Sequence, residues 1–295
     1  MNTLWRVASI TALVVLAAMV WVAPGQVAAW GAGALLYPVR QQVTASTPDK
    51  CVNEEFSGAG VRLRGWRCRS DIDRRGTIVY LHGVGDTRAS SVGLIGRYIP
   101  RGFDVVAYDS RAHGESGGDV CTYGFFEKDD LRRVLDALQD PGPIVLIGSS
   151  LGAAVALQEA ADDPRVRVLA AAETFSDLRS VAVERAPFVM TAGMIQQAFL
   201  LAEQRGRFRV DDVSPEAAAR RITVPVLVIH GAADHETSPE HSRRVFEALH
   251  SKKRLIIVPD AGHSRSLNGE VWNDIDRWIA EATGAERLEQ VHPKR

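Results

Sequence analysis

The chain has 295 residues, of which 46% are hydrophobic and 24% are charged, and its formal net charge is −1. This length accommodates one large domain or two small ones, and the near-neutral charge gives no electrostatic reason to expect a nucleic-acid partner. The composition is that of a globular protein to which an additional apolar segment is attached.

The additional apolar segment lies at the amino terminus. Val7 to Ala23 is uncharged and almost wholly apolar, and the chain stays largely apolar as far as Leu36. A spanning helix needs about 20 such residues and a signal-peptide core about 7–15. Residues 1–40 are therefore interpreted as a membrane anchor or a signal segment, with a slight preference for the uncleaved anchor. We expect the rest of the chain to be exported, either membrane-anchored or, after cleavage, secreted or periplasmic.

Two cysteines flank a predicted hairpin. The stretch between Cys51 and Cys68 contains two strand-like runs about a Gly-Ala-Gly turn. Residues near these positions would face each other, so a disulfide in an oxidising compartment is one interpretation and two buried thiols are the other. Cys121 is left over, either as a free thiol or as an alternative partner.

From residue 77 onward, short apolar runs alternate with longer amphipathic stretches. The runs are nearly continuous in hydrophobicity, which is typical of strands buried on both faces of a parallel sheet; they are 77–83, 104–110, 144–150, 166–172, 224–231 and 254–262. Helices are predicted between them, for example Glu127–Gln139, Ser150–Asp162, Pro239–Leu249 and Glu270–Ala282. This alternation predicts an α/β fold over residues 50–284, with a mostly parallel sheet flanked by helices and a tail at 285–295.

One connection is longer than a crossover requires. About 50 residues separate the strands at 166–172 and 224–231. They are helical in character and rich in large apolar side chains. We interpret residues from about 177 to 218 as a short helical cap over the functional site; two ordinary packing helices are the alternative.

The segment "GSSLG" at 148–152 matches the pattern G-x-S-x-G. It follows an apolar strand and opens a helix at Leu151, which is the context that a nucleophile elbow requires. Gly148 and Gly152 would leave room for the strained turn that lifts the Ser150 hydroxyl out of the sheet. The sequence predicts Ser150 as a nucleophile; a packing turn is the alternative.

A serine nucleophile needs a base and an orienting acid, and both follow later strands. Asp234 comes after the strand at 224–231, and His263 after the last predicted strand. The chain order is therefore nucleophile, acid, base, as in this type of sheet. Asp177 also follows a strand and is the alternative acid. Other histidines do not end the final strand and are set aside on position: His113, His235 and His241.

The first strand of the alternating region ends in "HGVGD". Acyl transfer needs two donors for a developing oxyanion, one after the nucleophile and one after this earlier strand. The backbone N–H groups of Leu151 and Val84, the latter after His82 and Gly83, are the candidates; a glycine-rich turn without such a duty is the alternative. The sequence has no metal-binding motif such as H-E-x-x-H or C-x-x-C, so we expect no metal and no cofactor.

Five motifs together resemble those of α/β-hydrolase-fold serine hydrolases: "HGVGD", "YDSRAHGESGG", "GSSLG", "HGAAD" and "AGH". The sequence is similar to the membrane-anchored or exported branch that includes the serine aminopeptidase/monoacylglycerol lipase-like and Bem46-like proteins. The resemblance covers roughly residues 50–284. It implies that one set of residues braces the loop after its strand without a catalytic role: Asp109, Arg111, His113 and Gly114.

We expect from this a carboxylic ester hydrolase that forms an acyl-enzyme on Ser150. An apolar cap near a membrane favours acyl or lipid-like small-molecule esters. An acyl-thioesterase and an aminopeptidase on the same triad are the enzymatic alternatives. A non-catalytic envelope binding protein that keeps the hydrolase scaffold is the alternative from another class.

Overall fold

An eight-stranded sheet forms the centre of the computed structural model, which describes residues 25–139 and 141–284. The strands are β1 Cys51–Ser57, β2 Arg62–Cys68, β3 Gly76–Leu81, β4 Phe103–Tyr108, β5 Ile144–Ser149, β6 Val166–Ala172, β7 Val226–Gly231 and β8 Lys253–Val258. Their spatial order is β1-β2-β4-β3-β5-β6-β7-β8. The β1–β2 and β2–β4 pairs are antiparallel and the others are parallel.

Helices cover both faces of the sheet. In chain order they are α1 (25–36), α2 Val92–Tyr98, α3 Glu127–Asp136, α4 Leu151–Ala160, α5 Leu178–Glu184, α6 Ala192–Gly206, α7 Pro215–Ala219, α8 Pro239–Ala248 and α9 Gly269–Thr283. Side chains of α2 and α9 pack in one apolar cluster, and those of α3, α4 and α8 pack in another. The predicted α/β class with a mostly parallel, helix-flanked sheet is confirmed.

The central strands are buried because their side chains are apolar on both faces. Every residue of β3, β4, β5 and β7 is buried, which is why these strands read as continuous apolar runs. The predicted strand 166–172 coincides with β6. The predicted strand 254–262 ends earlier, at Val258, because the residues that follow form a turn at the carboxyl edge of the sheet.

The predicted hairpin is confirmed, and its two cysteines are bonded. Residues of β1 and β2 pair in antiparallel register with Cys51 opposite Cys68, and the two sulfur atoms form a disulfide. Cys121 is free and buried.

The amino-terminal part of the chain contributes to the packed body. Helix α1 buries Ala28, Ala32 and Leu36 completely, so packed structure begins before the boundary predicted at residue 50. The apolar run Val7 to Ala23 and the tail 285–295 lie outside the described residues. Between residues 25 and 284, residue 140 excepted, none of the helices has the length and apolar character that crossing a membrane requires.

The long connection between β6 and β7 contains α5, α6 and α7. Its apolar side chains form a third cluster together with α1, including Leu36, Leu178, Phe199 and Phe208. We call residues 177–218 the cap segment. Helix α1 and the cap segment therefore pack against each other.

Candidate active site

The turn between β5 and α4 holds Ser150 in a strained backbone conformation. Its φ is 50° and its ψ is −112°, a combination that side-chain-bearing residues rarely adopt. A Cβ on Gly148 would lie 2.4 Å from the Gly152 oxygen, and one on Gly152 would lie 2.1 Å from the Leu81 oxygen. Both glycines are thus required by backbone crowding around the turn, as the sequence pattern indicated.

A methyl group at Gly152 should therefore destabilise the fold. We expect Gly152→Ala to lower the free energy of unfolding by about 3 kcal/mol, because the Leu81 carbonyl cannot withdraw without disrupting β3. Urea denaturation measures the change. Gly96→Ala is the matched control: no atom lies within 4 Å of its added methyl, and in helix α2 it should stabilise by about 1 kcal/mol. Equal effects at the two sites would contradict the account.

The structure brings Ser150, His263 and Asp234 together in one hydrogen-bonded row. The Ser150 Oγ lies 3.0 Å from His263 Nε2, and His263 Nδ1 lies 2.7 Å from Asp234 Oδ2. Ser150 follows β5, Asp234 follows β7 and His263 follows β8. All three therefore lie at the carboxyl edge of the sheet. This is the geometry in which a carboxylate orients an imidazole that accepts a serine proton.

The carboxylate of Asp234 is held from several sides. Its Oδ1 accepts hydrogen bonds from the backbone N–H groups of Glu236 and Thr237, each at 2.9 Å. Its Oδ2 lies 3.1 Å from His230 Nε2. Burial alone would raise the pKa of Asp234, but the hydrogen bonds from His230, His263 and the Thr237 N–H outweigh it and hold that pKa well below its ordinary value.

His230 is a contributor that the sequence reasoning did not single out. Its Nδ1 lies 2.6 Å from Ser242 Oγ and its Nε2 lies 2.9 Å from the Thr237 oxygen. With the proton on Nε2, the ring donates towards both that oxygen and Asp234. Its place in "HGAAD" was the available signal, but nothing in a single sequence says that its ring turns back to the acid.

The imidazole of His263 has a pKa above its ordinary value. Burial would lower the pKa of His263, but the hydrogen bond and the charge of Asp234 raise it, with smaller contributions from Glu173 and Glu236. The negative groups stabilise the imidazolium, which is the form that appears when the ring takes a proton from a hydroxyl.

A second buried carboxylate holds the loop that carries His263. Glu173 follows β6 and is 1% exposed. Its two oxygens accept hydrogen bonds from the backbone N–H groups of three successive residues, Ser264, Arg265 and Ser266, at 2.7–3.1 Å. The sequence reasoning also missed Glu173, because the loop that it holds is about 90 positions away in the chain.

Two hydrogen bonds of the His82 ring fix the start of the loop after β3. The Nδ1 of this buried ring donates to the Gly83 oxygen at 2.7 Å, and its Nε2 accepts from the Ser110 N–H at 2.9 Å. Burial lowers the pKa of His82, so the ring stays neutral. Val84 follows and lines the same pocket as Ser150, while Leu151 begins α4 directly after Ser150. These are the positions expected of the two oxyanion donors.

The residues expected to brace the loop after β4 lie behind the site. Asp109 accepts from the backbone N–H groups of Arg88 and Glu115, and Arg111 pairs with Asp130 through two hydrogen bonds. A Cβ on Gly114 would lie 2.3 Å from an Asp109 oxygen. Burial lowers the pKa of His113 to about 4. None of these side chains lines the pocket of Ser150.

The alternative acid lies elsewhere. Asp177 caps α5 by accepting from the Ser180 N–H at 2.7 Å, and it pairs with Arg244. Among the rival histidines, His241 bonds to Ser176 and Glu184, and His235 is exposed in the loop after Asp234. Asp234, not Asp177, therefore bonds to His263.

The pocket around Ser150 has a volume of about 590 Å³ and a charged lining. Asp86 and Glu236 contribute carboxylates, Arg97 and Arg185 contribute guanidinium groups, and Trp272 contributes an aromatic face. Of the cap segment only Arg185 lines this pocket, so the apolar side chains of the cap do not. In the described part of the chain, no cluster of three or more His, Cys, Asp or Glu side chains could hold a metal ion.

Comparison with known proteins relates the chain to one family. Residues 78–275 match the model of the alpha/beta hydrolase family. The chain is 30% identical over 219 residues to the uncharacterised protein YqkD of Bacillus subtilis, covering 71% of this chain and 72% of that one. It is 24% identical over 229 residues to mouse monoglyceride lipase, covering 61% of this chain and 74% of that one.

Solved structures show the same fold. The esterase Pf2001 of Pyrococcus furiosus superimposes with a TM-score of 0.70 at 23% identity, covering 84% of this chain and all of that one. The acetyl xylan esterase 1 of Thermoanaerobacterium superimposes with a TM-score of 0.59 at 20% identity, covering 84% of this chain and 86% of that one.

Proposed function

The chain belongs to the alpha/beta hydrolase family, and we propose that it hydrolyses carboxylic esters through an acyl-enzyme on Ser150. The observation that carries the proposal is the unbroken row from the Ser150 hydroxyl through His263 to Asp234. The mouth of the pocket beside Ser150 leaves that hydroxyl within reach of a substrate.

The proposed mechanism uses the hydrogen bonds of Ser150, His263 and Asp234. Ser150 Oγ attacks the ester carbonyl carbon while its proton passes to His263 Nε2, and Asp234 stabilises the resulting imidazolium. The backbone N–H groups of Val84 and Leu151 stabilise the oxyanion. The tetrahedral intermediate expels the alcohol, which takes the proton from His263. A water molecule, deprotonated by His263, then attacks the acyl-enzyme, which releases the carboxylic acid and restores the Ser150 hydroxyl.

A panel of p-nitrophenyl esters from acetate to palmitate tests this proposal on the purified protein. We expect saturable turnover that disappears in Ser150→Ala, with the acyl length of highest kcat/KM reporting the size of the acyl site. Thioesters use the same acyl-enzyme chemistry and belong in the panel. Well-folded protein without Ser150-dependent turnover of any of these would overturn the assignment and favour a binding role.

An aminopeptidase is a second candidate, and one observation favours it. Three carboxylates line the pocket, and the oxygens of one, Glu173, already accept from backbone N–H groups. The other two, Asp86 and Glu236, could pair with the free ammonium group of an amino-terminal residue. Aminoacyl p-nitroanilides are the discriminating substrates: turnover of these in preference to esters, reduced in Asp86→Asn, would replace the ester assignment.

The raised pKa of His263 predicts the acid side of the pH profile. Only neutral imidazole accepts the Ser150 proton, so kcat/KM should fall as pH drops through the pKa of His263, and the midpoint should lie above the ordinary 6.5. Removing a nearby negative charge lowers that pKa, so Glu236→Gln should move the midpoint to lower pH. A midpoint at or below 6.5, or one that Glu236→Gln raises, would contradict the role of His263.

We also propose that the domain is exported and held at a membrane by the apolar run Val7 to Ala23. The bond between Cys51 and Cys68 supports an oxidising compartment. Fractionation of cells, with thiol labelling before and after reduction, tests both statements: a soluble, fully reduced protein in the cytosol would contradict them.

A further inference from the structure

The cap segment presents apolar side chains to solvent at a turn where polar residues are usual. The Met190 N–H donates to the Pro187 oxygen at 2.8 Å, which closes a turn with Phe188 and Val189 at its tip. Phe188 is 99% exposed and Val189 is 61% exposed. Gly, Asn, Asp and Ser dominate such turns. Two large apolar residues at the tip therefore indicate that another molecule covers them.

Helix α1 extends the same surface. Trp30 is 61% exposed, and it lines a cavity together with Pro187 and Met190, the residues on either side of the turn tip. A Cβ on the neighbouring Gly31 would lie only 3.0 Å from Met190 Cε, so α1 and the turn are in close contact. We call Trp30, Phe188 and Val189 the docking patch.

The cavity beside the docking patch is distinct from the pocket of Ser150. Its volume is about 260 Å³ and its lining is mainly apolar, including Leu35, Val181, Ala198 and Phe199. Arg185 is the residue that lines both spaces. An alkyl chain fits the chemistry of this cavity, whereas a polar group would lose its hydration there.

We propose that the docking patch inserts into the surface of a lipid bilayer, with the cavity beside it open to a lipid alkyl chain. The sequence that precedes α1 favours a bilayer as the occupant: Val7 to Ala23 is uncharged and almost wholly apolar, and α1, which carries Trp30, begins shortly after it. A bilayer that holds those residues would lie close to the patch. Aromatic residues such as tryptophan favour the membrane–water interface.

Charge at the edge of the patch favours anionic lipid. Arg185 and Arg205 are exposed, and their hydrogen-bond partners are neutral oxygens: the Glu236 carbonyl and Thr237 hydroxyl for the first, the Ala29 carbonyl for the second. No carboxylate forms an ion pair with either guanidinium within residues 25–139 and 141–284. Such groups attract anionic headgroups when they stand next to an inserted apolar surface.

The test places a polarity-sensitive label on the turn in the full-length chain. Phe188→Cys is labelled with a nitrobenzoxadiazole maleimide, which is selective because Cys121 is buried and Cys51 is bonded to Cys68. The protein is reconstituted into vesicles of phosphatidylcholine with and without phosphatidylglycerol. We expect blue-shifted emission and quenching by lipids carrying a doxyl group, both stronger with the anionic lipid.

Ile72→Cys is the matched control. Ile72 is 54% exposed, but it precedes β3 and so lies at the opposite, amino edge of the parallel strands from the cap segment. A label there should stay in water and remain unquenched. Equal emission and equal quenching at positions 188 and 72 would overturn the proposal, whether both labels are exposed to water or both are inserted into the bilayer.

A second variant measures the consequence for catalysis and rests on the proposed function. Phe188→Asp combined with Val189→Asp should lower turnover of a vesicle-embedded p-nitrophenyl palmitate about a hundredfold, because burying each of the two side chains in lipid is worth about tenfold. Turnover of soluble p-nitrophenyl acetate should not change. If the label at position 188 inserts but the protein hydrolyses no ester, the ester hydrolase is refuted and bilayer docking still holds. If the double variant loses the same fraction of turnover on both esters, a role of docking in substrate access is refuted.

Discussion

Ser150→Ala is expected to lower kcat/KM for a p-nitrophenyl ester by about 10⁴-fold or more. In the proposed mechanism the Ser150 hydroxyl forms the acyl-enzyme, so its removal leaves only the weaker contribution of substrate binding and oxyanion stabilisation. Ser150 makes no side-chain hydrogen bond that caps α4, so the loss of activity should not come with a loss of fold. Steady-state kinetics, with circular dichroism of the same preparations, measure both.

Ser149→Ala is the control for this substitution. The Ser149 hydroxyl lies 3.4 Å from a Glu173 oxygen, a contact at the long limit of a hydrogen bond, and most activity should remain. If Ser150→Ala were active and Ser149→Ala inactive, the nucleophile would be Ser149 and not Ser150.

Asp234→Asn is expected to lower kcat by about 10³- to 10⁴-fold. An amide in this place offers the His263 Nδ1–H a weaker acceptor or a competing donor, which favours the tautomer that cannot accept the Ser150 proton. The charge that stabilises the imidazolium is lost as well. The residual activity should therefore have its acidic midpoint at lower pH than in the natural protein.

Asp177→Asn is the matched control for the acid. Asparagine also caps helices well, so the Ser180 N–H at the start of α5 keeps an acceptor. We expect activity close to that of the natural protein, since Asp177 bonds to Arg244 rather than to His263. Loss of activity in this variant with retention in Asp234→Asn would transfer the role of acid to Asp177.

Much of this arrangement could be read from the sequence, because buried parallel strands are continuous apolar runs. Once those runs were located, the residues directly after them were bound to meet at one edge of the sheet. Ser150, Asp234 and His263 come together for that reason. The glycines of "GSSLG" carried similarly local information, since the crowding that requires them arises within the turn and from the adjacent β3.

The contacts that the sequence does not reveal depend on how the loops fold at the carboxyl edge of the sheet. Glu173 binds N–H groups about 90 positions later, and His230 reaches Asp234 only because the loop after β7 folds back over it. Neither contact has a signature in residue spacing. The orientation of the cap segment could not be predicted either: its apolar composition favoured a lining for the pocket of Ser150, whereas its apolar side chains pack with α1 around a separate cavity.

The central claim is that Ser150 is a nucleophile activated by His263, and covalent labelling with a fluorophosphonate tests it most directly. The reagent needs no knowledge of the natural substrate. Intact-mass measurement of the folded protein should show a single adduct, and peptide mapping should place it on Ser150. It should be absent in Ser150→Ala and form much more slowly in His263→Ala. Folded protein that stays unlabelled, or an adduct that persists in Ser150→Ala, would contradict the account.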